Sequence, residues 1–256
     1  MITAGIDCGF KNTKAVILKD GKILGRGMIF TGFDQKKAVD SAFEFAMLQS
    51  GTRRGDIRKI SGTGSGKNAV EIADIQIEDR YAISKAARFF FSSARSVADV
   101  GAEEGRAARI DENGNPIDFA VNEKCAAGSG TFIEAMARAL ELTVEEMGRI
   151  CALSNKRISL NTECAVFAES EVVRLIHSKA AKPDISKAVH DAMALRIVSM
   201  IRRVGVYPDL VLFGGVANNP GFTDAVKREL KIDRLYIPEY PEFGAATGAA
   251  AVAAEG

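Results

Sequence analysis

Residues 2–18 are rich in β-branched and small apolar side chains, interrupted once at Gly9, Phe10, Lys11 and Asn12, so the chain opens as strand, tight turn and returning strand. Asp20-Gly21 is a hairpin signal that leads into a third strand over 22–30. From Asp34 the apolar spacing becomes helical, and Gly51 ends a helix predicted over 34–50. A short strand at 59–61 and a helix at 78–92 follow. The same grammar restarts at residue 96. A strand ends in Asp99-Val100-Gly101, a second returns at 106–110, residues 112–115 turn, and a third strand covers 116–121. This predicts an internal duplication, with lobe one at 1–95, lobe two at 96–256, and one aspartate at the end of each first strand. Further helices are predicted at 130–140, 144–152, 165–178, 185–204 and 223–230, with strands at 209–213 and 234–237. A last helix from Gly244 can pack back on lobe one. The alternation is that of an α/β protein.

Composition narrows the functional classes. The chain has 256 residues, 47% of them apolar and 26% charged, enough for two packed lobes. Its formal net charge of +1 supplies no field that would draw it to nucleic acid or to an anionic membrane, and neither partner is expected. The first residues lack a basic segment followed by an apolar one, and no apolar run reaches ~20 residues, so a cytoplasmic location is expected. Cys8, Cys125, Cys151 and Cys164 should then stay reduced. His177 and His190 lie in helical stretches and offer little to a histidine metal site or a Ser-His-Asp triad.

The two turns carry the candidate chemistry. Gly9, Asn12, Thr13 and Lys14 in the first, with Gly101 and Ala102 in the second, suit a phosphate clamp, because close backbone approach needs small residues and exposed N–H groups bind anions. Asp7 and Asp99 would face each other across the cleft, Asp7 on the Mg2+ side and Asp99 orienting the attacking water. A lone aspartate at a strand end is ordinarily a turn or cap residue; the pairing points to chemistry. Glu169 is a weaker carboxylate candidate near the nucleotide. Gly214, Gly215, Val216, Ala217 and Asn218 follow a buried strand and form a corner on which a flat base can lie, or an ordinary strand-to-helix turn. The run Gly62 to Asn68 imitates a P-loop, but its glycine spacing is one residue short and Asn68 replaces the hydroxyl residue, so it is rejected as one.

Cys125 and Cys164 each stand just before a predicted helix, where unpaired N–H groups and the helix dipole favour thiolate. Gly128, Ser129 and Gly130 would let a cluster or a phosphate come close to backbone. An iron-sulfur cube takes four thiolates, so two per chain suggest one cluster shared by a dimer. Two inert buried thiols remain an equal reading. Cys151 is expected in the core, and Cys8 at the strand-turn junction.

The segments Gly5 to Lys14, Lys124 to Gly130, Cys164 to Glu171 and Gly214 to Ala217 together resemble the BadF/BadG/BcrA/BcrD ATPase family, which holds activators of 2-hydroxyacyl-CoA dehydratases and ATPase subunits of benzoyl-CoA reductases. The resemblance implies an actin-like (ribonuclease H-like) fold of two βββαβα-type lobes around a nucleotide cleft. It also implies an oxygen-sensitive dimer, a homodimer or a heterodimer with a sister ATPase subunit, holding one 4Fe-4S cluster on Cys125 and Cys164 of both subunits. ATP, hydrolysed to ADP with Mg2+, would drive a low-potential electron from a donor such as ferredoxin into an iron-sulfur reductase or dehydratase component. Two departures bear on this. Glu103-Glu104 replaces the Gln-Asp usual in activators, and Phe10-Lys11 stands where activators commonly carry Ser and Thr. Asp99-x-Gly101-Ala102 followed by Gly105-Arg106 is closer to benzoyl-CoA reductase subunits. A reductase subunit of that kind is the leading expectation, followed by the dehydratase activator, a sugar kinase of the same fold, and a regulator that binds ATP without turnover.

Overall fold

A computed structural model describes residues 1–122, 128–160 and 165–255. In the first sheet β1 (Ile2–Cys8), β2 (Asn12–Lys19) and β3 (Lys22–Phe30) form an antiparallel meander. β4 (Lys59–Thr63) joins parallel to β1, and the short β5 (Ile75–Gln76) parallel to β4, giving the order β3-β2-β1-β4-β5. The crossover is α1 (Gln35–Ser50), which packs on this sheet. The Asp34 carboxylate accepts from the Lys37 N–H at its start, and Gly51 closes it at φ +65°, the left-handed conformation glycine adopts without strain.

The second sheet repeats the plan. β6 (Ser96–Val100), β7 (Gly105–Ile110) and β8 (Pro116–Val121) are antiparallel, and β9 (Leu210–Phe213) joins parallel to β6, in the order β8-β7-β6-β9. α2 (Asp79–Phe90) leads from one sheet to the other. Between β8 and β9 lie α3 (Gly130–Ala139), α4 (Val144–Ile150), α5 (Ala165–His177) and α6 (Lys182–Val204). They close the larger core around Phe132, Met136, Met147, Met193 and Phe222, whereas Ile6, Ile17, Phe43 and Ile60 centre the core under the first sheet. Among the described residues no helix is long and apolar enough to cross a membrane.

α7 (Pro220–Leu230) begins three residues before the predicted 223, because Asn219 caps it by accepting from the Phe222 N–H at 3.2 Å and Pro220 suits a first helical turn. The expected strand at 234–237 is reduced to one bridge, Val211 to Tyr236. Pro238 follows, and having no N–H it cannot extend the ladder.

α8 (Gly244–Glu255) lies against β1 and α2, with the Thr3 hydroxyl donating to Ala250 O at 2.9 Å. Contact is at backbone distance: a Cβ on Gly248 would stand 1.8 Å from Ala82 O, and one on Gly5 2.0 Å from Ala246 O. Gly248→Ala is therefore expected to cost about 1–3 kcal/mol by overpacking despite its better helix propensity, read as a lower urea midpoint. An unchanged midpoint would show that α8 is not seated this closely.

Candidate active site

A cavity of about 340 Å3 opens where the ends of the two sheets meet. That is within the size range of small-ligand sites, ~300–1,000 Å3. Asp7 enters it from the end of β1 and Asp99 from the end of β6, both 7% exposed. The duplication extends to their partners. In register, Asp7 faces Lys14 and Asp99 faces Arg106. Lys14 Nζ donates to Asp7 Oδ2 at 3.0 Å, and Arg106 Nη1 donates to Asp99 Oδ2 at 3.1 Å, each across the same spacing of seven residues.

Arg106 does more than Lys14. Its Nη2 also lies 2.9 Å from Glu104 Oε2 and 3.1 Å from Asp79 Oδ2. Asp79, the first residue of α2, in turn accepts from the Thr63 hydroxyl at 3.1 Å and the Gly64 N–H at 2.8 Å. One guanidinium thus ties β6 and its turn to α2 and the end of β4. Burial raises the pKa of Asp99 above the ordinary aspartate value; the Arg106 charge opposes that rise and the Asp7 charge adds to it. Asp79 is likewise raised, by burial first, against the pull of Arg106. Burial disfavours the Lys14 ammonium, but the Asp7 carboxylate outweighs it and holds the lysine above its usual value.

The second turn is built on a helix start. Gly101 N–H donates to Glu104 O at 2.9 Å, while Gly101 O and Ala102 O accept from the N–H groups of Gly130 and Thr131 at 2.8 and 3.0 Å. The first amides of α3 are therefore spent on the turn that follows Asp99. Beside this turn, at the end of β9, Gly214 has φ +89°, and a Cβ there would lie 2.1 Å from Val100 O. Only glycine fits that corner. Asn218 Nδ2 beside it donates to Glu242 Oε2 at 3.1 Å.

Asp7, Gly9, Asn12, Lys14, Asp99, Gly101, Ala102, Gly130, Gly214, Gly215, Val216 and Asn218 all border this cavity. Thr13 does not. Strand alternation turns it inward, where its hydroxyl lies 3.0 Å from that of Thr31. Ala217 packs into the second core, and Ser129 is buried with its Oγ 2.9 Å from Thr131 Oγ1. Gly128 backs onto Asn122, whose Nδ2 would be 2.5 Å from an added Cβ. Glu169 is an exposed residue of α5 away from the cavity walls. Cys125 and Cys164 lie outside the described residues. The other two thiols are buried, Cys8 fully, and burial raises both their pKa values. Lys67, of the rejected P-loop, pairs with Glu78, although Gly64 and Ser65 of that run reach the cavity wall. Sequence reading missed Asp79, Arg106 and the ion pair between Lys11 and Glu134.

Two like sheets closing on a cleft with facing strand-end aspartates define the actin-like ATPase and sugar-kinase fold. A ROK family glucokinase from Streptomyces griseus shares it at 12% identity, with a TM-score of 0.65 over 100% of both chains. Within that fold the chain belongs to the BadF/BadG/BcrA/BcrD ATPase family, whose model matches residues 4–253. It is 38% identical to the activator of lactoyl-CoA dehydratase from Anaerotignum propionicum over 100% of this chain and 98% of that one. Component A of (R)-2-hydroxyglutaryl-CoA dehydratase from Acidaminococcus fermentans superimposes with a TM-score of 0.95 at 31% identity, covering 100% and 98% of the two chains. The activator of the 2-hydroxyisocaproyl-CoA dehydratase from Clostridium difficile, with bound ADPNP, gives 0.92 at 34%, covering 100% and 95%. A benzoyl-CoA reductase subunit from Thauera aromatica is 28% identical, over 93% and 86%. The leading expectation from sequence is thereby corrected: the chain is more similar to dehydratase activators. The second turn misled because it is a short motif, whereas identity accumulates over the whole chain.

Proposed function

We propose that this chain is the ATP-hydrolysing activator of a 2-hydroxyacyl-CoA dehydratase, a dimer that passes a low-potential electron from a donor such as ferredoxin to an iron-sulfur partner. The observation that carries the reading is the placement of Asp7 and Asp99 on one cavity with a glycine turn beside each, in a chain whose more similar relatives are activators. Asp99 orients and deprotonates the attacking water, a role suited by a carboxylate whose pKa burial has raised. Lys14 and Arg106 hold the two carboxylates apart and aimed.

Mg2+ fits the donor set. Asp7 and Asp99 bring two carboxylates to one cavity with a glycine turn beside each, and Mg2+ typically takes one or two carboxylates with phosphates and waters. Asp7 would hold it, and the ion would neutralise phosphate charge. For the 4Fe-4S cluster the donor set is Cys125 and Cys164 of two subunits. Cys8 and Cys151 are poor alternatives, since a buried thiol resists the ionisation that ligation needs. The cluster would supply the one-electron chemistry. α3 follows Cys125 in the chain and is hydrogen-bonded through Gly130 and Thr131 to the turn after Asp99, so movement at the nucleotide can be transmitted along it.

Cys125→Ala should abolish the iron of anaerobically purified protein while leaving its circular dichroism unchanged. A variant that keeps full iron would sink the cluster assignment and turn attention to phosphate transfer onto sugars.

A further inference from the structure

The cations lining the cavity are not equally committed. Lys14 is half-buried against Asp7, and Arg106 is shared by Asp99, Asp79 and Glu104. Lys11 is held, among the described residues, by Glu134 alone, its Nζ 2.6 Å from Glu134 Oε1. Both side chains are partly open, at 39% and 33% exposure, so an entering ligand can reach and replace this pair. Among the described residues, carboxylates outnumber cations on the walls. A polyanion entering such a cavity needs positive charge that is not already neutralised, and among the described residues Lys11 is the side chain able to give it.

Position supports this. Lys11 is at the tip of the β1–β2 turn, between Gly9 and Asn12, and its carbonyl is pinned by the Thr31 N–H at 2.9 Å. Glu134 stands on α3, so the pair bridges the first turn to the helix on which the second turn is built. A partly exposed ion pair is weak. A lysine contact to phosphate inside a cavity is charge-assisted and stronger.

We infer that Lys11 is a phosphate-binding residue held in reserve by Glu134: when a nucleoside triphosphate enters, the ammonium leaves the carboxylate for the phosphate chain and Glu134 is released on α3. The inference rests on the nucleotide-binding reading above and adds a residue to it. Occupancy of the cleft then severs a tie to the helix that follows Cys125.

The test is MgATP affinity, measured by calorimetry on anaerobically prepared full-length protein. Lys11→Met should weaken MgATP binding about 10- to 100-fold, the loss of one charge-assisted contact. Glu134→Gln should tighten it several-fold, because the competing carboxylate is gone. The double variant should match Lys11→Met, and Lys11→Arg should stay near wild type. A merely structural pair would lower the melting temperature in both single variants without opposite effects on affinity, and that result would overturn the inference. If the wild type binds MgATP but Lys11→Met binds it equally well, this inference alone fails. If the wild type does not bind MgATP, the functional reading fails with it.

Discussion

Replacing Asp99 by asparagine is expected to cut ATP turnover by about 10²- to 10⁴-fold, the usual worth of a positioned general base, with MgATP affinity kept within a few-fold. The isostere fills the same space, and its amide oxygen can still accept from Arg106, which also keeps Asp79 and Glu104. The fold should survive. Burial raises the Asp99 pKa, so the folded state holds that proton more tightly than the unfolded chain does. Its contribution to stability is present at low pH and is lost as pH rises through the folded pKa, so removing the charge does not remove a stabilising ionisation. The same direction sets the pH profile. The base works only when ionised, so wild-type turnover should climb through an acid limb lying above the ordinary aspartate value of 3.8. Phosphate release across pH, with calorimetry for binding, reads both effects; an Asp99→Asn protein with wild-type turnover would remove Asp99 from the chemistry.

Arg106→Gln should be the most damaging single change to the cleft. It leaves three carboxylates converging without their shared cation, and breaking a buried charge pair from one side costs about 3–5 kcal/mol. For a chain of this length that corresponds to a melting-temperature drop of roughly 6 to 20 °C. Because Arg106 lowers the pKa of Asp99 and of Asp79, its loss should also move the acid limb of turnover to higher pH. Arg106→Lys keeps the charge but not the fork that spans Asp99, Asp79 and Glu104, so it should fall between the two. Melting scans with pH-turnover profiles of both variants are the check, and an Arg106→Gln protein with a wild-type melting temperature and pH profile would show that the network is ornamental.

Much of this was legible in the chain because duplicated strands leave duplicated spacing. Asp7 and Asp99 could be placed at equivalent strand ends, and both do border one cavity. Carrying the comparison seven residues further would have found Arg106 as the counterpart of Lys14. Asp79 had no such signal: it is a helix-opening aspartate like many others until Arg106 and Gly64 N–H close around it. Thr13 shows the opposite failure. A turn motif suggests that every residue in it faces the ligand, yet once β2 begins at Asn12 the pleat sends Asn12 and Lys14 to the cavity and Thr13 inward. The strand expected at 234–237 has suitable side chains, but Pro238 ends the pairing that they need. Which member of the family the chain resembles was not readable from the Asp99 to Arg106 segment, where a few substitutions weigh against similarity spread along the whole chain.

The most direct test of the electron-donor reading needs no partner protein. Iron and acid-labile sulfide should be measured on anaerobically purified, dithionite-reduced chain, with electron paramagnetic resonance spectra taken with and without MgATP. About four irons per dimer, as one cube shared on four thiolates requires, and a signal that changes when nucleotide binds are the expected result. Metal-free protein, or a cluster signal indifferent to MgATP at saturating concentration, would contradict it.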